Sequence, residues 1–262
     1  MQNLTLGHYY QCSSIIHRLH PRTKILTLIP LLIVLTTIRA NAVLCISMVL
    51  LAAVMYLSNV PVRVVMKQMK FFVWLVVFTF IIHSFVTKGS VLYTLPGIGI
   101  AVTKEGIING IYFGWRLLIM VGFSVMVLLT TMPSDLADGI EQLLRPLRRI
   151  GLKIDAIALV LGIAMRFVPV LFDEAVRIRT AQIARGARFD GTFRMRLKSI
   201  AALVIPLFIS VFRRADALAY ALQARGYPPA GVRTYYLYER YTRADAAAYA
   251  VVFSFAAVSV LW

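Results

Sequence analysis

Acidic residues are scarce: 11 Asp and Glu stand against 28 Lys and Arg in a chain of 262 residues, and only 15% of positions are charged. A soluble domain is charged at about a quarter of its positions and apolar at about 45–50% of them. This chain is 60% hydrophobic, with a mean hydropathy of +0.79. An ordinary soluble enzyme is excluded, and so is a disordered chain. Cysteine is nearly missing too. Cys12 and Cys45 form no CxxC pair and no metal-ligand spacing, so nothing argues for a disulfide framework or a zinc site. No Gly-Lys dipeptide occurs, hence no GxxxxGKS/T phosphate-binding loop. A cleavable signal peptide is not expected, because the first long apolar run begins only at Ile25 and lacks a small-x-small site before the next run.

What is present points to a bilayer. A net charge of +17 would suggest nucleic acid in a soluble protein. In a chain this apolar it reads as basic residues crowded on one side of a membrane, with no nucleic-acid partner. Five apolar runs stand out: Ile25–Ile38, which needs its flanks for length, then Ala42–Val60, Phe71–Val86, Ile107–Met132 and Ala244–Trp262. About 20 helical residues cross the hydrocarbon, so the chain is expected to be an all-α integral membrane protein with about five transmembrane helices. Counted over alternate sides, Lys and Arg number 24 on the N-terminal side and 3 on the other, with Arg116 inside the fourth span. The bias puts the N-terminus and residues 133–243 in the cytoplasm and the C-terminus outside. The expected organisation is a membrane domain over 1–132, a cytoplasmic region over 133–243 and a final span over 244–262.

Two more apolar runs, Ala156–Phe172 and Ser199–Phe212, lie in the cytoplasmic region. The second is too short to cross, and crossing by the first would carry seven Lys and Arg of 173–198 through the membrane. Both are expected as parts of long helices at or under the membrane. The region opens on Pro133-Ser134-Asp135, a breaker followed by capping residues. Leu136, Ile140, Leu143, Leu144, Leu147 and Ile150 then recur on one helical face. Asp135, Asp138 and Glu141 near the start and Arg145, Arg148 and Arg149 near the end suit the helix dipole, with Pro146 as a kink. This predicts an amphipathic interfacial helix, the first of three in the region.

One internal repeat is visible. With an offset of 40, Phe172 matches Phe212, Ala175 matches Ala215, Ala181 matches Ala221, and Ala184-Arg185-Gly186 matches Ala224-Arg225-Gly226. Each unit is an apolar helix that turns polar and stops, with Gly as the residue that accepts a left-handed conformation. Pro228 and Pro229 bar continuation of the second. Taken singly, Ala-Arg-Gly is only a helix stop. Two of them, each closing a helix of about 30 residues, roughly 45 Å, favour paired arginines that enter acidic pockets by fork geometry.

With these motifs the chain resembles the transmembrane T component of energy-coupling factor (ECF) transporters, the CbiQ-like family. The resemblance covers nearly the whole chain and is strongest from Glu105 to Thr234. It rests on His20-Pro21-Arg22-Thr23-Lys24, similar to the family's Asp-Pro-Arg-x-Lys, on Glu105-Gly106-Ile107, on Arg166-Phe167-Val168-Pro169 and on both Ala-Arg-Gly motifs. It implies two long cytoplasmic coupling helices that cross, with Ala184, Arg185, Gly186 and Ala224, Arg225, Gly226 as the ATPase-coupling tips. The implied partners are two ABC-type ATPases, one for each arginine, and a membrane-embedded substrate-binding S component. The chain itself is then no enzyme and holds no cofactor; ATP and magnesium belong to the partner ATPases. The implied role is uptake of vitamins or other micronutrients across a bacterial cell membrane. Length and motif pair fit a shared module better than a dedicated cobalt, nickel or biotin system.

Other residues tempt without assigning chemistry. His17 and His20 at i, i+3 have no third ligand nearby and suit a turn or an interfacial anchor better than a metal. His83 is expected to be buried with a hydrogen-bond partner, and Asp173-Glu174 to neutralise nearby arginines at a helix midpoint. A stand-alone secondary transporter is the competing class. It would place acidic groups at midplane, whereas Asp245 sits at the edge of the last span and none lies well inside the first four. A membrane-bound enzyme would need a clustered catalytic set, and none is visible.

Overall fold

The structure is a computed structural model that describes residues 9–10, 12–37, 40–94, 101–151, 154–187, 189–227 and 241–260. In chain order it has α1 (Pro21–Thr37), α2 (Asn41–Ser58), α3 (Val62–Lys70), α4 (Val73–Val86), β1 (Val91–Thr94), β2 (Ala101–Thr103), α5 (Lys104–Thr130) and α6 (Pro133–Leu144). A 3₁₀ turn (Arg145–Ile150), α7 (Ile154–Ala184), α8 (Phe193–Ala224) and α9 (Arg243–Val260) follow. Two compact units result: residues 1–143 with 239–262, and residues 144–238. The division leaves nearly all of α6 with the first unit, past the boundary expected at 132.

The first unit is built around α5. Leu31 and Leu35 of α1, Ile119 and Phe123 of α5 and Val252 of α9 form one buried cluster, and Val65 of α3 meets Val125, Met126 and Leu129 of α5 in another. Local chemistry starts α5 where it does. Thr103 caps it, its hydroxyl accepting from the Gly106 N–H at 3.1 Å and donating to the Thr87 carbonyl at 2.7 Å. Gly106, Gly110 and Gly114, four residues apart, form a side-chain-free stripe on which α4 lies. A Cβ on Gly106 would stand 2.7 Å from the His83 carbonyl oxygen and 2.9 Å from that of Ser84, and one on Gly110 would stand 2.9 Å from Phe80 Cδ2. Small residues let membrane helices approach this closely. Gly106→Val is therefore expected to cost about 3 kcal/mol, because backbone rather than a flexible side chain must move. Thermal unfolding of the detergent-extracted protein measures it, with Gly162→Ala as a control that loses no stability and gains up to about 1 kcal/mol, since nothing lies within 4 Å of a Cβ there and alanine is the better helix former.

By length and composition α2, α5, α7 and α8 could each cross a membrane, and α3 with α4 forms a further candidate bent by 52°. The fold is all-α and multi-pass, with a single two-stranded hairpin, β1 antiparallel to β2, among the described residues. Three expectations need correction. The run beginning at Phe71 is not a lone span: Phe71 and Phe72 form an elbow, and α3 before it is a separate amphipathic helix with Val65 buried and Arg63, Lys67 and Lys70 exposed. Pro133 does not break but starts α6, at the first helical position where its missing N–H is harmless. The apolar stretch of α8 extends beyond the run Ser199–Phe212 and meets the length criterion for a span. Few of its residues, or of α7's, are buried: 6% and 0% of the two apolar windows, against 39% for α5. At Pro146, where a kink is expected, the α-helix has already ended at Leu144 and a 3₁₀ turn takes over.

Candidate functional site

The long helices of the second unit end alike. In α7 the N–H groups of Arg185, Gly186 and Ala187 donate to the carbonyls of Ala181, Ile183 and Gln182 at 3.1, 2.9 and 2.9 Å. In α8 those of Arg225, Gly226 and Tyr227 donate to Ala221, Gln223 and Leu222 at 3.2, 2.9 and 3.0 Å. Both are Schellman caps, with arginine as the last half-helical residue and glycine just past it. Gly186 (φ 87°) and Gly226 (φ 67°) supply the left-handed turn that a side chain would oppose by about 1–2 kcal/mol. Nothing lies within 4 Å of a Cβ at either, so conformation rather than space demands glycine.

This geometry presents the arginines. Ala184, Arg185 and Gly186 are exposed, as are Ala224, Arg225 and Gly226. Neither guanidinium has a hydrogen-bond or ion-pair partner among the described residues. The helices have 31 and 32 residues, close to the length expected. They pack on each other, and Arg214 of α8 donates to Glu174 of α7 at 3.3 Å. These two residues are also 40 apart, so the helices are tied at equivalent points of the repeat, and each tip arginine follows at the same distance along its own helix. The tie itself contributes little, since an exposed pair stabilises by about 0–1 kcal/mol. Glu174 thus does neutralise an arginine, on the partner helix rather than its own. Pro228 and Pro229 lie outside the described residues.

A polar knot in the first unit holds the His20-Pro21-Arg22-Thr23-Lys24 motif. The His20 N–H donates to Asp245 Oδ1 at 2.9 Å, while Asp245 Oδ2 accepts from the Thr242 N–H at 2.8 Å and its hydroxyl at 2.7 Å. Asp245 is 1% exposed. Lys24, 5% exposed, reaches back to the end of α5, donating to the Thr130 carbonyl at 2.8 Å and to Thr131 Oγ1 at 3.0 Å. His20 Nδ1 accepts the Arg22 N–H at 3.2 Å. An imidazole nitrogen here does what an aspartate oxygen would do at the start of a helix, which is why histidine fits the first motif position. Its ring stacks on Tyr241, with centroids 5.5 Å apart. Nothing local in the sequence signalled this knot, since its carboxylate lies at the opposite end of the chain from His20.

The remaining candidates have structural partners. His17 sits in a turn, with Nδ1 2.7 Å from Ser14 Oγ and Nε2 3.0 Å from the Tyr10 carbonyl oxygen. Partial burial lowers its pKa, the bond to Tyr10 opposes that, and the nearby Lys24 charge adds to it. His83 Nδ1 lies 2.9 Å from the Thr79 carbonyl oxygen, and its ring is 4.5 Å from that of Phe113. Arg116, 6% exposed, holds its guanidinium 5.9 Å from the Phe113 ring centroid.

Residues 12–236 match the family model described as cobalt transport protein, CbiQ. The chain belongs to the CbiQ family. Curated CbiQ relatives carry the name energy-coupling factor transporter transmembrane protein EcfT. The protein of that name from Thermosediminibacter oceani is 38% identical over 95% of this chain and 94% of its own length. That of Bacillus subtilis is 37% identical over 90% and 89%, and that of Brevibacillus brevis 39% identical over 87% and 86%. This CbiQ chain is thus a transmembrane component of the energy-coupling factor transporter type, and its multi-pass helical build agrees with that membership.

Proposed function

We propose that this chain is the non-catalytic coupling subunit of an ECF-type importer. It passes ATP-driven movement of two partner ABC-type ATPases to a substrate-binding S component for vitamin or micronutrient uptake. The N-terminus and the second unit face the cytoplasm, where the excess of Lys and Arg belongs. Arg185 docks in one ATPase and Arg225 in the other, each meeting acidic side chains there; the chain holds no cofactor of its own. The observation that carries this reading is the pair of identical caps, each presenting one exposed arginine with no partner among the described residues at the end of a long helix. A charge-assisted arginine–carboxylate bond contributes about 1.5–3 kcal/mol. The tie at equivalent registers gives the tips arms of equal length, about 16 Å at the helical rise, which suits a two-fold pair of motors. The apolar surface left open along α7 and α8 suits a membrane-embedded partner that can change, because hydrophobic contact is non-directional.

Co-expression from the natural operon followed by affinity purification of this chain in mild detergent tests the proposal. Two ATPase subunits and a small membrane protein are expected to co-elute, with ATP hydrolysis in that fraction. Substrate uptake by vesicles holding this chain alone would refute it in favour of a stand-alone transporter.

A further inference from the structure

Two adjoining cavities in the first unit differ in chemistry. The larger, about 470 Å³, is an apolar slot between α1, α2, α5 and α9 that runs from Lys24 and Ala244 at the helix ends to Leu31 and Val252 about 10 Å deeper. The smaller, about 370 Å³, is surrounded by Ser13, Arg18 and Asn59. Ile15 and Leu57 line both. The Arg18 side chain is exposed and has no hydrogen-bond or ion-pair partner among the described residues. Lys24, buried where it lines the slot, uses two of its three ammonium donors on Thr130 and Thr131. A hydrocarbon-lined slot that shares Ile15 and Leu57 with a cationic, hydroxyl-bearing pocket complements one kind of molecule, with an apolar tail and an anionic head.

We propose that the two cavities form one site for an anionic phospholipid of the surrounding bilayer. An acyl chain fills the slot, which lies within the size range of about 300–1,000 Å³ usual for ligand cavities. The phosphate meets the Arg18 guanidinium, with the Ser13 hydroxyl and Asn59 amide beside it, and the slot's own cation, Lys24, adds positive potential at the junction. Free phosphate would leave the slot empty, and a zwitterionic lipid would bring its own cation beside Arg18 and Lys24, which repel it.

Native mass spectrometry of the full chain, with phosphatidylglycerol or phosphatidylcholine of the same acyl chains added in detergent, tests the site. The unaltered protein is expected to hold one phosphatidylglycerol under conditions that strip phosphatidylcholine. One arginine near a lipid surface corresponds to about five-fold in retention, so Arg18→Gln is expected to lose phosphatidylglycerol by about that factor. Ala247→Phe and Ala53→Phe, which fill the slot from facing walls, are expected to abolish retention of both lipids, and having two such variants guards against one that fails to fold. Equal retention of the two lipids by the unaltered protein, or undiminished phosphatidylglycerol in Arg18→Gln or in a folded slot variant, would overturn the proposal.

Discussion

Reversing both tip charges, Arg185→Glu with Arg225→Glu, is expected to abolish uptake and release the ATPases while leaving the chain inserted and folded. The separation follows from geometry. Both side chains are exposed at helix ends and hold nothing in their own unit, so their removal costs the fold next to nothing. Bound in an acidic pocket, each would be desolvated, and losing one such partner costs about 2–5 kcal/mol, roughly 30-fold or more in affinity. A glutamate adds repulsion to that loss. Single reversals are expected to weaken co-purification unequally, because the two pockets need not be identical. The double Arg→Ala variant removes attraction without repulsion and should fall between. Uptake at the normal rate in that variant would end the coupling account.

Asp245→Ala has the opposite profile: severe for the fold and silent on partner recognition except through it. The buried carboxylate accepts from the His20 N–H, the Thr242 N–H and the Thr242 hydroxyl. Alanine leaves the buried His20 N–H without an acceptor, at about 1–3 kcal/mol, while the donors of exposed Thr242 can turn to water. A total of about 2–3 kcal/mol is expected, most of it from that one buried donor. The measurement is the monodisperse fraction after detergent extraction, together with the unfolding temperature. Asp245→Asn keeps one carbonyl acceptor but turns an amide N–H₂ toward the other donors, and should lose less than alanine. A protein indifferent to both changes would show that the knot is decoration.

Much of this architecture was legible because its causes are local. A glycine after an arginine at the end of an apolar-then-polar run needs a left-handed backbone wherever it occurs, and the repeat offset of 40 exposed the second cap once the first was seen. Apolar run length fixed most helices in the same way. What stayed hidden depends on distant residues. The elbow at Phe71–Phe72 was masked by continuous hydrophobicity, although Arg63, Lys67 and Lys70 at helical spacing marked an amphipathic turn before it. The stripe of Gly106, Gly110 and Gly114 was a missed signal: three glycines at i, i+4 and i+8 rarely persist in a helix, where each costs about 1 kcal/mol against alanine, without a close neighbour to justify them. Asp245 read as an acid at a span edge. Its role exists only once the two ends of the chain meet, and no local window of sequence holds both His20 and its acceptor.

That meeting governs the order of assembly. Helix α1 leaves the ribosome long before α9, which shares its buried cluster and supplies the carboxylate for His20, 225 residues further along. Until α9 emerges, α1 must wait in the lipid with the part of its surface that α9 covers unsheathed, and over that stretch of synthesis the nascent protein stays vulnerable to quality control.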